Sequence, residues 1–194
     1  MSEFQIPLKD SSFFTFRLES RRLLFAGSRY FEVREETARD LVMVFGSLGF
    51  TFMTGCAAGV DRSFRNALAG SEFRERSLVA CAFKQRAKEI TNISTLFVVP
   101  DGLPPRVALA KRTLWMTNRC SLLILFPSEP IGKGSALAFR SAIYNNKPVF
   151  IVSKTKPKES SLYSVFHSNL FGIVDGYWCI PPVYRETGLC CETV

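Results

Sequence analysis

The chain has 194 residues, 47% of them hydrophobic and 22% charged, with 25 Lys and Arg against 17 Asp and Glu for a formal charge of +8. This composition excludes a disordered or fibrous chain and predicts one globular domain with a sizeable core, while the charge favours anionic partners: nucleotides, nucleic acid or acidic surfaces. No apolar run approaches the roughly 20 residues of a membrane span, and the opening MSEFQIPLKD has no basic-then-apolar leader, so a cytoplasmic protein with no membrane partner is expected.

Residues 1–21 read as an N-terminal arm in which Phe13-Phe14-Thr15-Phe16 suits a short strand. The first clear unit follows it: Leu23-Leu24-Phe25-Ala26 is an apolar strand that empties into Gly27-Ser28-Arg29. Ala38, Leu41, Val42, Phe45 and Leu48 then repeat at helical spacing, which predicts a crossover helix. The pattern recurs in Phe50-Thr51-Phe52-Met53-Thr54, which runs into Gly55-Cys56-Ala57-Ala58-Gly59-Val60-Asp61 and a helix carrying Phe64, Ala67 and Leu68 on its apolar face.

Leu78 to Ala82 and Leu96 to Val99 are two further strands. The pair Pro104-Pro105 bars a helix from starting before Arg106, which predicts a basic helix over about 107–118 with Lys111 and Arg112, followed by Arg119. Ser121 to Phe126 is the continuous apolar run of a strand buried on both faces. It opens into a loop ending in Gly132-Lys133-Gly134-Ser135, a helix through Ala136, Phe139, Arg140 and Ile143, and a strand over 147–152. Residues 153–194 read as a solvated loop and an aromatic extension of the same domain, which would cap the sheet or join two copies of the chain.

Strand, glycine loop and helix thus occur three times. In open α/β sheets such loops lie at the carboxyl ends of the strands, where backbone N–H groups at a helix N-terminus can meet a phosphate. The expected fold is a single Rossmann-like α/β domain, its core over 22–152, with a mostly parallel sheet of six or seven strands, right-handed crossovers and helices on both faces. The six cysteines form no CxxC pair and there is a single histidine, His167. Free thiols and no metal site are therefore expected. Cys56 stands near a helix N-terminus, a setting that can lower a thiol pKa, although the favoured reading is a small residue filling a tight turn.

The order Gly27-Ser28-Arg29, Thr54 to Asp61, basic helix, Gly132-Lys133-Gly134-Ser135 and Lys147-Pro148-Val149 resembles the SLOG group of Rossmann-like proteins, which joins the DNA-processing protein DprA, the LONELY GUY phosphoribohydrolases and the YspA/YpsA-type proteins. The resemblance implies a nucleotide-like ligand held by Gly27, Ser28, Arg29, Gly55, Cys56, Gly59, Asp61, Arg112, Gly132, Lys133, Gly134 and Ser135, with no further cofactor. Arg29 would pair with a phosphate as a fork, and Asp61 would accept from a ribose hydroxyl or cap its helix. The alternative reading makes Gly27 and Gly59 tight turns and Asp61 a cap alone.

LONELY GUY enzymes carry PGGxGTxxE, and here Ala138 stands in place of the glutamate. Catalytic residues are therefore unassigned. The leading expectation is a nucleotide-binding sensor, carrier or sequestering protein; a phosphoribohydrolase is one alternative. The other is a DprA-like binder of single-stranded DNA, in which Lys111, Arg112, Arg119 and Trp115 would serve phosphates and bases.

Overall fold

A computed structural model describes residues 2–7, 13–18 and 20–187 of the chain. Cys190 and Cys191 lie outside the described residues. β1 (Ser2–Pro7) and β2 (Phe13–Leu18) pair antiparallel as a separate hairpin, so the arm does contain the expected strand. Phe4 of β1 is buried edge-on against Phe50 at 5.2 Å.

The main sheet has eight strands. β3 (Arg22–Gly27), β4 (Thr51–Gly55), β5 (Ser77–Cys81), β6 (Thr95–Phe97), β7 (Leu122–Phe126) and β8 (Val149–Ile151) run parallel, and β9 (Ser164–Leu170) and β10 (Val174–Ile180) join antiparallel, in the order β6-β5-β4-β3-β7-β8-β10-β9. The sheet thus has one or two strands more than the six or seven expected, and the aromatic extension supplies β9 and β10. Its turn places Phe171 at φ 56° and Gly172 at φ 76°, with Ile173 N–H donating to Leu170 O at 3.0 Å. A hairpin turn of that hand is signalled by Asn-Gly or Asp-Gly, and a phenylalanine in the first position hides it from a sequence reading.

α1 (Glu35–Ser47) and α2 (Val60–Ala69) cover one face of the sheet, their Leu41, Phe45, Phe64 and Leu68 packing with Leu23, Phe25 and Phe52. α4 (Pro105–Arg119) and α5 (Lys133–Tyr144) cover the other, where Met116, Ala138 and Ala142 meet Leu24, Met53, Leu123 and Leu125. A shorter α3 (Lys84–Glu89) follows β5. The alternation of Leu23, Leu24, Phe25 and Ala26 between the two cores shows why the strand is apolar throughout: each side chain is buried on whichever face it takes. The fold is α/β and Rossmann-like, with helices on both faces of a mostly parallel sheet.

Two boundaries differ from expectation. α4 begins at Pro105, one residue earlier than the proline pair seemed to permit, because proline at the first helical position lacks only an N–H that has no partner there. α5 begins at Lys133, so Gly134 and Ser135 belong to its first turn and not to the preceding loop. No helix among the described residues is long and apolar enough to cross a membrane.

Candidate functional site

β3 lies between β4 and β7, so the three glycine loops open side by side at one end of the sheet. Two backbone bonds stitch them together: Ser28 N–H donates to Phe126 O at 2.9 Å, and Val60 N–H donates to Ser28 O at 3.1 Å. The buried Ser28 hydroxyl accepts from Tyr30 N–H at 3.2 Å, turning the chain outward after β3.

The glycines of the first two loops admit the chain itself. Gly59 has φ 64°, and a side chain there would meet Ser28 O at 2.4 Å and the Arg29 carbonyl within 2.7 Å. At Gly55 a Cβ would lie 2.2 Å from Asp61 Oδ2 and 2.8 Å from Arg112 Nη1. Gly27 is pressed in the same way against Phe126 O. The third loop differs: a Cβ on Gly134 would meet nothing within 4 Å, one on Gly132 would touch only Ser128 Oγ at 3.6 Å, and both residues are exposed with Lys133. α5 has no side-chain cap, so the N–H groups of its first turn remain available to a ligand. Ser135 is buried beneath them.

Beneath the second loop lies a compact polar cluster. The Asp61 carboxylate sits 3.5 Å from Arg112 Nη1, with side-chain exposures of 6% and 9%, and accepts from Ala57 N–H at 3.2 Å. Arg112 Nη1 also donates to Cys56 Sγ at 3.5 Å. Arg65, which the sequence shows only as a polar residue one turn into α2, closes the loop by donating Nη1 to Gly55 O at 3.1 Å and Ala57 O at 2.7 Å. Asp61 is therefore held by α4 across the sheet end, and Arg112 is turned inward while its neighbours Lys111 and Arg119 remain exposed.

Cys56 takes part in this cluster. Hydrogen bonding from Cys81 holds its thiol down to about 5 against the opposing effect of burial, and the Arg112 charge adds to the lowering. The proton stays with Cys81, which its bond to Cys56 and its burial push upward. Cys120 and Cys179 are pushed up to about 12 by burial in the core.

The outer surface of the site was only partly legible. Arg29 is exposed, and beside it Tyr30 is 89% exposed and Phe31 47% exposed, two aromatic rings that no core pattern claims. Arg62 faces outward and pairs with Glu32. Trp115 is half-buried on the α4 side, with the Arg119 guanidinium 4.2 Å over its ring.

Candidate acids and bases lie elsewhere. Ala138 is buried in the core on the α4–α5 face, and Glu129 accepts from Ser153 Oγ at 3.2 Å. Glu129, on the third loop, lines with Pro127, His167, Asp175 and Tyr177 a groove of about 810 Å³. His167 on β9 is five strand positions from Cys56, roughly 24 Å at the spacing of about 4.8 Å between strands, which keeps a Cys–His pair apart. No group of three or more His, Cys, Asp or Glu among the described residues could hold a metal ion.

No protein-family model and no curated protein matches this sequence. Among solved structures, the chain resembles DNA processing protein A from Helicobacter pylori, described for its single-stranded DNA binding mode. The TM-score is 0.54 at 18% identity, over 79% of this chain and 81% of that one. At that identity the likeness concerns the fold.

Proposed function

We propose that this chain binds single-stranded nucleic acid across the carboxyl ends of β4, β3 and β7. The observation that carries this reading is the exposed pair Tyr30–Phe31 on the loop after β3, the strand next to β7, whose own loop leads into the open first turn of α5. A phosphate at Gly132-Lys133-Gly134-Ser135 would gain backbone N–H donors, the helix dipole and the Lys133 ammonium. Exposed aromatic rings at the same end of the sheet supply stacking faces, worth about 1–3 kcal/mol per base and indifferent to sequence. Arg29 and the formal charge of +8 favour the same polyanion. The cluster of Asp61, Arg112 and Arg65 fixes the shape of the second loop and is not counted among the groups that touch the ligand.

A single nucleotide is the second reading, favoured by the convergence of three glycine loops on one small area. Hydrolysis finds less support, because the Asp61 carboxylate is engaged by Arg112 and Ala57 N–H and the position of the LONELY GUY glutamate is core. Anisotropy titrations of a labelled oligothymidylate over a range of salt separate the two binding readings. A strand contacting several phosphates gives a log–log slope of about −0.7 per contact, so three contacts give about −2. The result expected is such a slope, with binding lost in Tyr30→Ala/Lys133→Ala. Tight mononucleotide binding with no oligonucleotide affinity would establish the second reading instead, and no binding of either would overturn both.

A further inference from the structure

β4 and β5 are neighbouring parallel strands paired Thr54 to Val79 and Gly55 to Ala80. The next residues in that register are Cys56 and Cys81. Adjacent parallel strands stand about 4.8 Å apart, within the span of 4.4–6.8 Å between Cα atoms that a disulfide bridges, and same-register side chains leave on the same face. Both cysteines pack in the core on the α1–α2 side, and Cys81 Sγ lies 3.9 Å from Val79 O. Cys56 follows Gly55, the last residue of β4, and Arg112 Nη1 lies 3.5 Å from its sulfur.

From this arrangement we infer that Cys56 and Cys81 are a peroxide-reactive dithiol that closes to a disulfide across the ends of β4 and β5. The Cys56 thiolate attacks one oxygen of hydrogen peroxide. The O–O bond breaks, hydroxide leaves and takes up the proton that the Cys56 thiol released to solvent on ionising, and Cys56 is oxidised to a sulfenic acid. The sulfur of Cys81 then attacks the Cys56 sulfur. The S–O bond breaks, the Cys81 proton goes to the departing oxygen, and water leaves. Two thiols and one peroxide thus give one disulfide and two waters. Peroxide is the only oxidant required, and it is small enough to reach a residue that is 4% exposed. Arg112 stabilises the attacking anion and the hydroxide that departs, and Cys81 is the resolving thiol because it follows Ala80, the register partner of Gly55, in the same core cluster.

Among the described residues no second cysteine acts on Cys120 or Cys179, so the contrast is internal to the chain. Cys56 should be oxidised at least about tenfold faster than either of them, as reactivity follows thiolate character. The test treats the folded full-length protein with hydrogen peroxide, blocks remaining thiols with N-ethylmaleimide and maps tryptic peptides without reductant. The expected product joins peptides 40–62 and 77–84 and disappears on reduction. In Cys81→Ser, dimedone should label peptide 40–62 as the trapped sulfenic acid. Recovery of both peptides as maleimide adducts, or a disulfide that joins Cys56 or Cys81 only to other cysteines, overturns the inference. The mapping reads a covalent bond and does not depend on which ligand the protein binds.

Discussion

Arg112 Nη1 of α4 reaches Asp61 Oδ2 of α2 at 3.5 Å across the carboxyl end of the sheet, joining helices that cover its opposite faces. Removing one member of a buried pair leaves the other charge without compensation. Arg112→Ala or Asp61→Asn should therefore destabilise the fold by roughly 3–5 kcal/mol, and the double variant Asp61→Asn/Arg112→Met by clearly less than the sum. Urea denaturation provides the measurement. Single-variant losses within about 0.5 kcal/mol, the range of an ordinary surface change, would show that the pair contributes nothing.

Two glycines of the site separate folding from binding. Gly59→Ala forces a side chain onto the Ser28 carbonyl at a positive φ, so a loss of roughly 1–3 kcal/mol is expected from backbone strain alone. Gly134→Ala meets open space in the first turn of α5 and should keep or slightly raise stability, by up to about 1 kcal/mol. Thermal unfolding of the two variants side by side is the check, and equal melting temperatures would contradict it.

The pH dependence of alkylation follows from the direction of the Cys56 shift. A lowered thiol pKa means that the thiolate is present at neutral pH and is lost on acidification through about 5. The iodoacetamide rate at Cys56 should hence rise between about pH 4 and 6 and stay level up to pH 8, where an ordinary thiol with a pKa of about 8.5 is still climbing. Peptide-resolved rates that keep rising to pH 8 would place the proton on Cys56 instead.

Trp178 of β10 is fully buried, with Phe150 of β8 at 5.0 Å between ring centroids. Trp178→Ala should lose about 3–5 kcal/mol, and a chain ending at residue 152 should fail to fold. Circular dichroism with a melting curve decides it: a cooperative transition in the shortened chain would make 153–194 an appendage rather than part of the domain.

The sequence alone was enough for β3, β4 and β7, whose uninterrupted apolar residues are demanded by burial on both faces, and for the helices between them, whose apolar residues recur every three to four positions. It also placed three glycine loops at strand ends. The final hairpin escaped because Phe171 occupies a left-handed turn position that carries no signature in composition, and because aromatic residues serve an edge strand as readily as a loop packed on the domain.

At the site, sequence determined residue type and order but not partners. A glycine at 27, 55 or 59 says only that something comes close, and only the tertiary structure shows that what comes close is the chain's own Phe126, Asp61, Arg112 and Ser28, while the open approach belongs to Gly132 and Gly134. Arg112 among exposed Lys111 and Arg119 reads as one more surface cation. Its burial beside Asp61 and Cys56 is decided by helix rotation and strand order, quantities set by packing between segments 50 residues apart and therefore absent from any local pattern.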